Sequence, residues 1–267
     1  MIKLEGNVRK MKSAFKAPIE YSMILSEHIL PLNNHIGSNI KLEWSGIINC
    51  VKCGNQTNKS FFQGFCYPCF ISAPESSECI LKPELCQAHE GISRDMEWSE
   101  KYCLSNHYVY LSLTSGIKVG VTRYTQIPTR WIDQGAIKAL KIAKTPNRYL
   151  AGAIEVKLKE FVSDRTSWQR MLKNDVNQDI DLYGYRETLK ENLPSDLKTY
   201  VLNEEREKII AYPINKYPEK IKSINFEKVK EFEGKLTGIK GQYIYIDNQF
   251  VVNIRKYSGF YFNIIIE

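Results

Sequence analysis

Long apolar runs are missing from this chain of 267 residues. Nothing approaches the roughly 18 consecutive apolar residues that a membrane-spanning helix needs, so no helical span is expected. The opening Met1-Ile-Lys-Leu-Glu-Gly also lacks the apolar core of a secretory leader, which points to a cytoplasmic protein with reduced thiols. No long-period repeat and no low-complexity tract is present, which argues against a solenoid. Excess charge is small as well. The net charge is +7 from 37 basic and 30 acidic residues, so its distribution says more than its total. With 43% hydrophobic residues the chain can bury one large core or two to three small ones, and ordinary domain sizes favour several modules.

Cysteine, in contrast, is present seven times. Cys50-Val-Lys-Cys53 and Cys66-Tyr-Pro-Cys69 form two C-x2-C pairs separated by twelve residues. That spacing brings four thiolates within reach of one tetrahedral ion, and zinc is expected there in a structural role. Gly54, Gly64 and Pro68 help the backbone turn around it. A second group, Cys79, Cys86, His89 and Cys103, with His107 as a substitute, has donors enough for another zinc at irregular spacings. Buried thiols and surface histidines account for it equally well.

Charge is segregated. Between Lys118 and Lys173 twelve Lys and Arg face four Asp and Glu, whereas between Asp175 and Glu207 nine acids face four bases. The change of sign predicts a module boundary, with the acidic stretch a possible docking surface for a protein partner; solvated helix faces are the commoner cause of such runs. Strand character fills residues 1–48, including Tyr21–Leu25 and Ile40–Trp44, and returns over 208–267 in Tyr243–Ile246, Phe250–Ile254 and Phe260–Ile266, with Asp247-Asn248 as a hairpin tip. Residues 49–106 show no sustained helical period, as expected of a loop-rich module organised by metal. Two strands follow, Tyr108–Leu113 and Ile117–Val121, then a short helix after Pro128. A stronger helix starts at the N-cap Asn147, with Leu150, Ile154, Leu158 and Phe161 in one apolar stripe. Glu155 lies at its edge, and the small Ala151 and Gly152 leave room beside its carboxylate.

Residues 107–175 carry the chemistry. Tyr108-Val-Tyr110, Lys118-Val-Gly120, Arg130-Trp131 and Glu155 resemble the GIY-YIG nuclease superfamily, in which two strands precede an arginine-bearing helix and a metal-binding glutamate. The resemblance implies that Tyr110 is a general base or positions water, Arg130 contacts phosphate and Glu155 holds Mg²⁺ or Mn²⁺. Lys118 stands where the second motif usually has tyrosine, a replacement that fits charge stabilisation or a core that binds without cutting. Arg123, Trp131, Gln134, Lys141 and Arg148 are candidate nucleic-acid contacts. Over nearly its whole length the sequence also resembles an uncharacterised bacterial and archaeal family of unknown function, in Cys50-Val-Lys-Cys53-Gly54, Gly64-Phe-Cys66-Tyr-Pro-Cys69-Phe70, Pro128-Thr-Arg-Trp-Ile-Asp-Gln-Gly-Ala136 and Gly238-Ile-Lys-Gly-Gln-Tyr243.

The expected fold is α+β: a β-rich, small barrel-like module from residues 1–48 and 208–267, a zinc module over 49–106, a GIY-YIG-like α/β core over 107–175 and an acidic helical connector over 176–207. The expected function is metal-dependent hydrolysis of DNA or RNA. The alternative is a zinc-containing RNA-binding protein without catalysis, for which Lys235, Lys240, Arg255 and Lys256 interleaved with Tyr243, Tyr245 and Tyr257 offer a basic, aromatic surface.

Overall fold

A computed structural model describes residues 1–163 and 165–267; Asp164, counted in the central charge run, lies outside them. Among the described residues the strands are β1 (Ile2–Ala14), β2 (Glu20–Leu25), β3 (His28–Pro31), β4 (Asn39–Ile48), β5 (His107–Leu113), β6 (Ile117–Arg123), β7 (Lys138–Thr145), β8 (Lys208–Ile209), β9 (Lys222–Ser223), β10 (Glu231–Lys240), β11 (Tyr243–Ile246), β12 (Phe250–Asn253) and β13 (Phe260–Ile266). The helices are α1 (Tyr67–Ser72), α2 (Met96–Tyr102), α3 (Thr129–Asp133), α4 (Arg148–Leu158), α5 (Trp168–Lys173), α6 (Leu182–Glu191) and α7 (Ser195–Lys198). The chain is a β-rich mixture of strands and helices, and none of these helices is long and apolar enough to cross a membrane.

Two compact units divide the chain, one from residues 1–71 and 210–267, the other from 72–209. The first is built on a sheet in the order β3-β2-β1-β13-β4-β10-β11-β12-β9. Both ends of the sequence meet in it: β13 lies between β1 and β4, with Ile2 opposite Ile266 and Leu42 opposite Ile264. Alternating side chains explain the core. On β13, Phe260, Phe262, Ile264 and Ile266 are buried while Tyr261, Asn263 and Ile265 are less so, the period-two pattern of a sheet with one packed face. Asp247 and Asn248 both have positive φ, 52° and 53°, the geometry of a tight hairpin between β11 and β12. The strand order has two free ends and so does not close a barrel among the described residues. At the turn between β10 and β11, the Gln242 side chain clasps Met11 of β1, accepting its N–H at 2.9 Å and donating to its carbonyl at 3.2 Å.

The second unit has the sheet order β6-β5-β7-β8. Val109, Leu111, Val119, Leu140 and Ile142 from its strands share a core with Ala151, Ile154 and Leu158 of α4 and with Leu182, Leu189, Leu193 and Leu197. The Asn147 side chain caps α4 by accepting the Leu150 N–H at 2.9 Å, which satisfies one of the donors a helix start leaves open. The expected apolar stripe stops earlier than predicted: Phe161 lies beyond the helix end and is exposed.

The charge reversal near residue 175 is not a unit boundary. Glu205 and Glu207 pair with Lys141 and Lys138 at 2.8 and 3.7 Å, and Tyr200 and Leu202 bond to the backbone of β7. The acidic and basic stretches neutralise each other within one unit, so those two glutamates do not form a free docking surface. Residues 49–106, expected as one module, are instead divided between the two units at residue 71. The capped helix α2, which follows the N-cap Asp95, was not visible in the spacing of apolar residues.

Candidate metal centres and the Tyr110 cluster

The four-thiol group sits in the first unit, immediately after β4. Cys50, Cys53, Cys66 and Cys69 bring their sulfurs within 4.8 Å of one another. Cys53 and Cys66 Sγ are 3.8 Å apart, close to the roughly 3.8 Å spanned by two thiolates on a tetrahedral zinc with bonds of about 2.3 Å. Local backbone shapes the cup. Cys50 Sγ accepts N–H groups from Lys52 at 3.4 Å and Cys66 at 3.2 Å. Burial pushes the Cys50 thiol up, but the backbone donors of Cys53, Cys66 and Lys52 outweigh it and bring the group down to about 6. A thiol that ionises this readily is prepared as a ligand. Gly64, at φ +124°, has no space for a side chain, because a Cβ there would lie 2.3 Å from Val51 Cγ1.

The second group lies in the other unit and contains three thiols, Cys79, Cys86 and Cys103, again within 4.8 Å of one another. His89, the expected fourth ligand, is elsewhere: its ring stacks on Tyr149 at 4.4 Å and its Nε2 is 3.8 Å from Glu90. His107, the substitute, is also outside the donor group. It is buried at the start of β5, with Nδ1 2.7 Å from the Ser105 carbonyl. Burial, then the charge of Arg148, lowers it to about 4. Arg148 itself is sunk beneath the thiols, donating to the carbonyls of Cys79 at 3.4 Å and Tyr102 at 3.2 Å. Hydrogen bonds from Cys79 and Cys86 hold the Cys103 thiol down at about 2, and the charge of Arg148 adds to this. Arg148 is therefore buried support for the cysteines and not a surface contact for nucleic acid. Both clusters could hold a metal ion such as zinc.

The third site gathers around Tyr110, on β5, one of the two inner strands of the smaller sheet. Register explains its first feature. Tyr110 lies opposite Gly120, and a Cβ on Gly120 would sit 2.6 Å from the Tyr110 hydroxyl, so the phenol occupies the space the glycine leaves. The hydroxyl donates to Gln134 Oε1 at 2.9 Å. Trp131 packs edge-on to the ring at 6.1 Å. Burial pushes the phenol above its ordinary value, opposed by the Arg130 charge and hydrogen bond, while the Glu155 charge adds to the rise. Tyr110 of β5 thus meets Arg130 of α3 and Gln134 just beyond it, while Glu155 of α4 acts on the phenol through its charge. Lys118, opposite Ser112, shares the strand face of Gly120 and is buried.

Other sequence-predicted contacts take different places. Trp131 is only 2% exposed, so it buttresses Tyr110 and offers no surface for a base. Lys141 is held by Glu205 and lies 4.7 Å from the Tyr108 ring. Arg123 stacks on Tyr102 at 4.4 Å. Glu155 is 7% exposed and its Oε2 is 3.3 Å from Lys159. The room expected beside it at Gly152 is filled: a Cβ there would be 2.2 Å from Glu84 N and 2.4 Å from Pro83 C. Gly152 instead lets the backbone of the cysteine loops rest directly on α4. That packing was hidden in the sequence, although a glycine inside a strong helical pattern is itself a signal of close backbone approach.

No curated protein matches the chain, and no solved structure does. The family described as "Protein of unknown function (DUF2797)" matches residues 37–262, and the chain belongs to that family.

Proposed function

We propose that this protein acts on nucleic acid through the Tyr110 cluster, as a phosphodiester hydrolase of the GIY-YIG type that depends on a divalent cation. The observation that carries the reading is the contact of the Tyr110 phenol with Arg130 and Gln134 over Gly120, with Glu155 near enough for its charge to act on that phenol. These groups supply what in-line displacement at phosphorus needs: cationic stabilisation, a fixed hydrogen-bond donor and a carboxylate for a metal. Because burial raises the Tyr110 phenol, it acts as a protonated positioning group, not as the base at neutral pH. Arg130 contacts the phosphate, and Lys118 adds positive charge on the same side of the sheet. Glu155 would hold Mg²⁺ or Mn²⁺, which would neutralise the phosphate and the leaving oxygen. The Lys159 ammonium, 3.3 Å from that carboxylate, already occupies the cationic place and has to swing aside. Zinc in the cysteine clusters holds loops together and is not part of this step.

The same ion pair supports a second reading, binding without cutting, in which Lys159 never yields and the site only holds a phosphate. Labelled single- and double-stranded DNA and RNA, incubated with and without Mg²⁺ or Mn²⁺, separate the two. Hydrolysis predicts products that require the divalent ion and fall by about 100-fold or more in Glu155→Gln with an unchanged circular dichroism spectrum. Intact strands retained in a salt-sensitive manner would establish the second reading and reject the first.

A further inference from the structure

The three-thiol cluster differs from the four-thiol one in what surrounds it. Cys79, Cys86 and Cys103 all line a cleft of about 400 Å³, together with Leu85, Arg94 and Trp98. Within the reach of a single ion the described residues offer three donors there and no fourth. His89 is stacked on Tyr149, and nearby Glu78 is paired with Lys82 at 2.7 Å. Closed tetrahedral sites satisfy four positions from the protein, whereas sites with three protein ligands leave one for solvent or substrate. Charge points the same way. Three thiolates around a divalent ion carry a net single negative charge, which the buried Arg148 beside them offsets; a fourth thiolate would leave a buried charge uncompensated.

We propose that Cys79, Cys86 and Cys103 form a three-thiolate zinc centre whose fourth coordination position opens into the cleft and takes an exchangeable small nitrogen or sulfur donor. Thiolates favour zinc or a comparably soft ion. The apolar Leu85 and Trp98 limit the size of what enters. The centre is independent of the Tyr110 cluster, so its fate does not depend on whether the protein cuts nucleic acid.

The test uses the full chain. Metal content is measured for the wild type, Cys86→Ser and Cys79→Ser, and the cobalt-substituted proteins are titrated with imidazole and with 2-mercaptoethanol while the visible spectrum is followed. Two ions per chain are expected in the wild type, falling to one in each variant, with a saturable spectral shift on adding either probe that both variants lose. Two ions per chain with no shift from either probe would mean that the protein closes the fourth position, and would overturn the proposal. A change in the spectrum of His107→Ala before any probe is added would overturn it too, because His107 would then be the fourth ligand. Unchanged metal content in both cysteine variants would show that the three thiols hold no ion.

Discussion

The two units each gather a set of thiols and each bury a cation, and they solve these problems differently. In the first unit the thiols come from two C-x2-C pairs and are organised by their own backbone, with N–H groups directed at Cys50. In the second, three cysteines spread over 25 positions are drawn together by packing against α4 and by Arg148. The buried cations diverge in the same way. Arg148 lies among carbonyls and beside Cys103, so its charge has anionic and polar company. Lys240, fully buried in the first unit, faces the rings of Tyr212 and Tyr217 at 5.2 and 5.1 Å, and burial brings it down to about 7. In one case carbonyl and thiol partners compensate the buried charge, and in the other burial loosens the hold on the proton.

The sharpest way to break this comparison is to remove a ligand from the local knuckle. Cys66→Ser is expected to lose one metal ion and to open residues 50–69 to proteolysis, because a structural zinc supplies on the order of 10 kcal/mol of folding energy to the loop it closes. Protection of that loop in the variant would show that the thiols are merely packed. Next in size is Gly152→Ala. Its Cβ would meet the Glu84 backbone, which cannot swing away as a side chain does, so metal is expected to leave the three-thiol cluster and remain in the four-thiol one; loss from both, or neither, contradicts the picture of a cluster assembled against α4.

Gly120→Ala comes third. Overpacking against the Tyr110 hydroxyl is expected to cost about 1–3 kcal/mol in urea denaturation and to displace the phenol from Gln134, visible as a change in tyrosine fluorescence or near-ultraviolet dichroism. Lys240→Met comes last. The folded-state value, about 7, lies below the ordinary 10.5, so between these limits the unfolded chain binds more protons and wild-type stability rises with pH. The methionine variant is therefore expected to be more stable than wild type at pH 7, with the gap closing towards pH 10. A gap independent of pH would mean that packing, not charge, sets the difference.

Local chemistry accounts for what was readable from the residues. The C-x2-C pairs, the N-cap Asn147 and the Asp247-Asn248 turn each act over a few positions, and each forms as its spacing predicts. His89 misled because a histidine near cysteines in sequence carries no information about direction, and in the fold its ring faces Tyr149. Trp131 and Arg148 misled for a related reason: side chains able to contact a base or a phosphate are equally able to fill a core or bind carbonyls, and only the packing around them selects one. The charge boundary near 175 dissolved because opposite charges distant along the chain pair across adjacent elements.

What the sequence by itself determined is the set of strands and caps, the paired-cysteine knuckle and the membership of a family, since each depends on neighbours a few residues away or on a pattern retained along the chain. Tertiary structure alone decided that β1 and β13 share a sheet, that Gly152 admits a backbone and not a ligand, that Tyr110 nests over Gly120, and that three scattered thiols meet above a buried arginine. Those outcomes follow from close packing between segments far apart in the chain, where the shape left by one side chain sets the position of another.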